Sequence, residues 1–204
     1  MVSAAISASG VAAQEVRLTP EMASTQFVLN GQTITIARNQ DTGATLTGPY
    51  ALTSRACPPD CIQPMVAAPG VVTIGELETI GFLTDIVASS QGLLIDSRNP
   101  DGFVQGSIPG AVNVPVAALA AENPYLPEIL RALGARNQGG GSMTFSGALD
   151  LAVFGEGPWS DDAARAIENL LAAGYPAAKI RYYRGGMQDW LSLGLTVAIP
   201  QNQG

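Results

Sequence analysis

One stretch, residues 150–174 (DLAVFGEGPWSDDAARAIENLLAAG), limits the folds open to this chain more than any other. A short apolar run of Leu151, Ala152, Val153 and Phe154 stops at a Gly/Pro-rich loop, residues 155–160, and a helical pattern follows with Ile167, Leu170 and Leu171 on one face. The reading is strand, loop, helix. In such a unit the loop amides and the helix N-terminus converge at the carboxyl end of a parallel strand, where they form a ready anion pocket. The chain is therefore expected to be α/β, with any functional site at that end of the sheet.

Two flanking stretches extend the pattern. Residues 93–116 read LLIDSRNPDGFVQGSIPGAVNVPV and residues 174–197 read GYPAAKIRYYRGGMQDWLSLGLTV. They carry an "ID-x-R" strand end at Asp96 and Arg98, a "G-x-IPGA-x-N-x-P" turn from Gly106 to Pro115, and a "Y-x-GG-x-x-x-W" closure from Tyr183 to Trp190. In this order, around the central unit, the three motifs resemble a rhodanese (sulfurtransferase) homology domain over residues 72–197. The resemblance implies a parallel sheet with helices on both faces. It does not reach the first seventy residues.

The departures from that family bear on function. In rhodaneses the residue opening the loop after the central strand is a cysteine that carries sulfur as a persulfide, and the loop amides stabilise the anion. The matching position here is Gly155, and a glycine cannot become a persulfide. Loop 155–160 (Gly155, Glu156, Gly157, Pro158, Trp159, Ser160) keeps the sulfurtransferase length, but Ser160 stands where an arginine is often found, and a second cysteine present in some relatives is also missing. Electrostatics point the same way. Glu156 lies in the loop and Asp161 and Asp162 open the helix, where carboxylates are expected to cap the first amides. At about 6 Å and an effective dielectric near 20, each would repel a bound anion by about 2–3 kcal/mol.

Composition removes several function classes. The chain has no histidine, so it lacks the usual general base, the commonest zinc ligand and any Ser-His-Asp or Cys-His arrangement. Where rhodaneses often carry a histidine before the "IPGA" turn, this chain has Ser107. A net charge of −7 with one lysine, Lys179, argues against nucleic acid or an anionic membrane as the main partner. No apolar run approaches membrane-spanning length, and no cofactor or metal is expected.

Taken in order, residues 1–15 (MVSAAISASGVAAQE) are small and mildly apolar, and resemble the tail of a secretory signal with cleavage after Ala13, or else a disordered tail. The expectation is a periplasmic or otherwise exported protein, with the cytoplasm as the alternative. Residues 16–71 form a β-rich extension, and Asn30-Gly31 between alternating β-branched residues predicts a hairpin. A turn at 39–43 follows. Cys57 and Cys61, with two prolines between them, have three readings: a structural disulfide in an exported protein, which is preferred; a redox-active or sulfur-carrying pair near Arg55; and half of a metal site.

Residues 72–200 are expected to form the rhodanese-like domain. The spacing of Ile74, Leu77, Ile80, Leu83 and Val87 predicts a helix over 73–87 capped by Thr73. Residues 93–96 read as a buried strand, 112–114 as another, 123–135 as a helix, 138–142 as a mobile loop and 179–183 as a strand. Trp190 is expected in the core, whereas Trp159, in the loop, caps the pocket, offers a contact surface or packs on Pro158. Asp96 and Arg98 either line the pocket mouth or pair with each other, and pairing is preferred.

The function favoured at this point is a homology domain without its nucleophile, acting as a binding or regulatory module with a protein partner at loop 155–160. The rival is a sulfurtransferase or thiol oxidoreductase using Cys57 or Cys61. A phosphatase of the related type is least favoured, because it too needs the loop cysteine.

Overall fold

The computed structural model describes residues 15–139 and 142–200. Apart from Glu15, the signal-like segment lies outside them, as does the 201–204 tail. The chain opens on an antiparallel hairpin of β1 (Ser24–Leu29) and β2 (Gln32–Ala37), whose turn places Asn30 at φ 51° and Gly31 at φ 78°. Both turn residues need positive φ, which is why Asn-Gly sits there. Asn39 and Asp41 then accept hydrogen bonds from the amides two residues on, forming the second turn.

β3 (Val72–Ile74) leads into α1 (Glu76–Gly81), and a wider turn of helix continues through Phe82–Val87. Here the helix expected from Thr73 is corrected. Thr73 belongs to β3 and its hydroxyl donates to the Met65 carbonyl, so the helix starts after Gly75, whose amide is held by the Glu78 carboxylate at 3.0 Å. Ile80, Leu83 and Val87 are buried, while Leu77 faces out. The chain continues through β4 (Gly92–Asp96), α2 (Pro100–Gln105), β5 (Ala111–Asn113) and α3 (Leu126–Ala132). Next, β6 (Arg136–Gly139) and β7 (Ser142–Thr144) pair antiparallel. Of the loop expected at 138–142, residues 138–139 end β6, with Gly139 at φ 93°, and Ser142 opens β7, while 140 and 141 lie outside the described residues.

β8 (Asp150–Phe154), α4 (Asp162–Ala172), β9 (Ile180–Tyr183) and α5 (Gly186–Ser192) complete the fold. Five strands form one parallel sheet in the order β3-β9-β8-β4-β5. Alternation along its strands builds two cores. Ile95, Leu151, Val153 and Tyr182 face α3 and α4, together with Leu130, Ile167 and Leu170. Leu94, Ala152, Phe154 and Tyr183 face the other way, onto Leu83, Met187 and Trp190. The hairpin joins this second core through Phe27 and Ile36, both buried. Trp190 is fully buried and donates its indole N–H to the Thr196 carbonyl at 2.8 Å. Among the described residues no helix is long and apolar enough to cross a membrane.

Candidate functional site

The two central strands end side by side, with Asp96 of β4 opposite Phe154 of β8. The Phe154 carbonyl accepts from both the amide and the hydroxyl of Ser97, at 2.9 and 2.6 Å, which ties the two exits together. Gly155 follows immediately. Its backbone lies outside the left-handed region, so φ does not require glycine, and a Cβ there would fit tightly, 3.0 Å from the Asp162 Cβ and 3.2 Å from the Ala163 nitrogen. Across the loop, Gly186 at φ 57° brings α5 against the same backbone, where a Cβ would meet the Gly155 carbonyl oxygen at 2.4 Å. That close approach lets the amides of Met187 and Gln188 donate to the carbonyls of Gly155 and Glu156, at 3.1 and 2.8 Å.

Beneath the loop lies a buried ionic network. Asp96 and Arg98, 0% and 2% exposed, pair in a two-pronged contact, Nε to Oδ1 at 3.0 Å and Nη2 to Oδ2 at 2.7 Å. Arg98 also donates to the Gly106 carbonyl at 2.7 Å, and the buried Ser107 hydroxyl donates to Asp96 at 2.6 Å. Asn113 of the "IPGA-x-N" turn donates to the carbonyls of Asp96 and Arg98, fixing the strand exit from the other side. Burial works against the Arg98 charge, but Asp96, with Tyr50 and Glu156 nearby, more than offsets it and holds the guanidinium's pKa above its ordinary value.

A strap, residues 48–63, closes over this floor from the N-terminal extension. Tyr50, on a short helical turn at Gly48–Ala51, donates its hydroxyl to Glu156 and accepts from Arg98 Nη1 at 3.1 Å. Burial and the neighbouring Glu156 carboxylate raise the Tyr50 pKa well above that of an ordinary phenol. Gln188 donates to the Tyr50 carbonyl at 3.1 Å, and the Arg55 guanidinium lies 3.7 Å from the centre of the Trp159 ring. At the far end the Gln63 amide donates to the Pro158 carbonyl at 2.8 Å, while Arg184 holds the Gln63 carbonyl with two donors. Between these anchors, Cys57 and Cys61 form a disulfide with Cα atoms 4.7 Å apart.

The loop's acids are placed differently from expectation. Glu156 caps no loop amide; it turns to Tyr50 and lies 3.7 Å from Arg98. Asp161, at the helix N-cap, makes no side-chain cap, and Asp162 pairs with its neighbour Ser160, accepting from the hydroxyl at 2.6 Å. For Glu156 the physical reason is competition: an arginine and a phenol in a desolvated spot hold it more strongly than amides that water can reach. No local pattern in the sequence marks Tyr50, Gln63 and Gln188, because their partners across the cleft are 29 to 138 residues away; Arg55 reads from the sequence as a neighbour of the cysteines, whereas it lies on Trp159.

Strap and loop together border a cleft of about 560 Å³, with Pro59 and Asp60 on one side and Glu156, Trp159 and Ser160 on the other. A larger cleft of about 700 Å³ runs between residues 37–47 and 191–197. It touches neither the loop nor the disulfide, so the smaller one is the candidate site. Asp60, Asp101, Glu156, Asp161 and Asp162 line that site against Arg98, whose charge is already matched by Asp96. Its field is therefore negative and repels small anions. Among the described residues no cluster of side chains is placed to hold a metal ion.

No curated protein matches the chain. Similar solved structures include a rhodanese-related protein from Thermoplasma volcanium, 20% identical, covering 63% of this chain and 99% of that one with a TM-score of 0.42. A human single-domain sulfurtransferase is 25% identical, covering 58% of this chain and 94% of that one with a TM-score of 0.40. The rhodanese-like domain family matches residues 82–193, more than half of the chain, and so this protein belongs to the rhodanese-like domain family.

Proposed function

We propose that this protein is a rhodanese-like domain without a persulfide-forming residue, acting as a non-catalytic binding or regulatory module in the periplasm or another exported setting. The observation that carries the reading is Gly155. By the resemblance of the surrounding motifs it takes the place of the cysteine that opens the loop in the family, it has no side chain, and a Cβ there would fit tightly, 3.0 Å from Asp162. The negative cleft supports the same reading, since thiosulfate and persulfide are anions and the one arginine beneath the loop is committed to Asp96. Loop 155–160 then serves recognition, with Trp159 and Glu156 as its contact groups and Asp96 and Arg98 as its support.

Thiosulfate-to-cyanide sulfur transfer tests this. Wild type and Gly155→Cys are both expected to show turnover no higher than a chain lacking both native cysteines, with Gly155→Ala controlling for the fold. Strong turnover in folded Gly155→Cys would show an intact anion pocket and overturn the electrostatic argument. A second reading, a sulfurtransferase or thiol oxidoreductase using Cys57 or Cys61, is favoured by one observation: Pro59 and Asp60, inside the disulfide loop, line the same cleft. It requires that Cys57→Ser or Cys61→Ser abolish a transfer activity present in wild type.

A further inference from the structure

We infer that Cys57–Cys61 is a thiol–disulfide exchange site, and that reduction by a dithiol loosens the strap from loop 155–160 and opens the cleft. The strap is poorly buried: Leu52 is 58% exposed, and Thr53, Ser54, Ala56, Cys57, Pro58 and Pro59 are also exposed. Its main polar anchors on the domain are at three places, the first of which also holds Tyr50 to Arg98 and against the second core. These are Tyr50 on Glu156 and Gln188, Arg55 on Trp159, and Gln63 on Pro158 and Arg184. The disulfide lies between the second and the third. By closing a ring of five residues it removes conformations that a detached strap would otherwise sample, and so favours the seated one. Without it, the strap gains entropy on leaving while its few contacts stay the same.

The disulfide is also reachable. Cys57 is exposed and Cys61 half-buried, and Ile62 beside it is 87% exposed, an apolar approach for a protein dithiol. One thiolate of the dithiol attacks the Cys57 sulfur, the Cys57–Cys61 bond breaks, and Cys61 departs as a thiolate that takes a proton from water. The second thiolate of the dithiol then attacks the mixed disulfide and releases the Cys57 thiolate. Two electrons pass from the dithiol, which becomes a disulfide, to the cysteine pair, which becomes two thiols. No sulfur atom is transferred, so the step is compatible with a loop that lacks a nucleophile. The inference rests on the binding-module reading only for its consequence, access to the cleft.

Amide hydrogen exchange in native buffer, with and without dithiothreitol, reads the strap without any partner. The Gln63 amide is bonded to the loop at Pro158 and is protected only while the strap is seated, whereas the Met187 and Gln188 amides bond to the loop from α5 and act as an internal reference. Reduction is expected to speed Gln63 exchange roughly ten- to thirtyfold and leave the reference amides unchanged. The Cys57→Ser/Cys61→Ser double variant should match the reduced protein without reductant, and Arg55→Ala should speed Gln63 exchange with the disulfide intact. Equal Gln63 protection in oxidised, reduced and double-variant protein would overturn the inference. So would a disulfide that dithiothreitol reduces only in denaturant, or a rise at Gln63 matched by Met187 and Gln188, which would mean general unfolding. None of these outcomes depends on sulfur transfer, so the fate of the proposed function is read separately.

Discussion

The floor and the cover of the cleft are held by different physics. The floor, where β4 and β8 end, is a completed network: Asp96, Arg98 and Ser107 are no more than 2% exposed and each is hydrogen-bonded. The cover is a largely exposed strap with a few polar anchors and one disulfide. Paired charges out of water are costly to disturb, because removing one partner strands the other, while exposed contacts compete with solvent at every moment. The difference teaches that a fixed scaffold and a releasable lid can share one site, and that mutations in the two should differ in size by several-fold.

Asp96→Ala should therefore do most damage. It leaves the Arg98 guanidinium buried without its carboxylate, and urea unfolding should show a loss of about 3–5 kcal/mol. A loss under about 1 kcal/mol would mean that water reaches the pair and that the floor is not what the burial implies. Gly186→Ala comes next, because its φ of 57° and the Gly155 carbonyl oxygen 2.4 Å from the new Cβ force α5 away from the loop. About 1–3 kcal/mol is expected from the same measurement, with faster exchange of the Met187 and Gln188 amides.

Tyr50→Phe joins the two regions, because it removes a hydroxyl bridging strap and floor. A loss of about 1–2 kcal/mol is expected, less than for a fully buried charged partner because Tyr50 is only half-buried. On the strap alone, Arg55→Ala should cost about 0.5 kcal/mol, the size of an exposed cation–π contact, and should be silent in global unfolding while visible at Gln63.

A smaller effect tests the charge around the loop. Burial, with Asp161 and Asp96 nearby, raises the Asp162 carboxyl above its ordinary value in spite of the Ser160 hydroxyl. The folded state thus holds this proton longer than the unfolded one. Its contribution to stability is full below the ordinary carboxylate pKa of about 4 and is lost as pH rises through the raised value. Asp162→Asn should then stabilise the fold by about 0.5 kcal/mol at neutral pH, a gain that fades as pH falls towards about 4. A constant difference across that range would place the effect in packing rather than charge.

The floor was legible in the sequence; of the cover, only the Cys57–Cys61 disulfide was. Local order carries the floor: β8, its loop and α4 are contiguous, Asp96 and Arg98 are two residues apart, and Gly186, which lets α5 approach the loop backbone, lies in the same short motif as Tyr183 and Trp190. The Asn-Gly hairpin was equally plain, since two positive-φ positions leave few alternatives. The start of α1 was misplaced because Thr73 fits a cap by spacing, yet pairing with Tyr182 draws it into β3. The loop's acids were misread for a deeper reason. Local rules assign Glu156 and Asp161 to nearby amides, and only tertiary contact brings Tyr50 and Arg98 to Glu156.

The central claim is that loop 155–160 binds without carrying sulfur, and one measurement meets it most directly. Protein purified without reductant would be weighed intact, with thiol alkylation, before and after thiosulfate and then cyanide. The account predicts a mass showing the Cys57–Cys61 disulfide and no change with either reagent. A gain of sulfur on Cys57 or Cys61 that cyanide removes would contradict it, and would make the strap the carrier of the chemistry that Gly155 cannot perform.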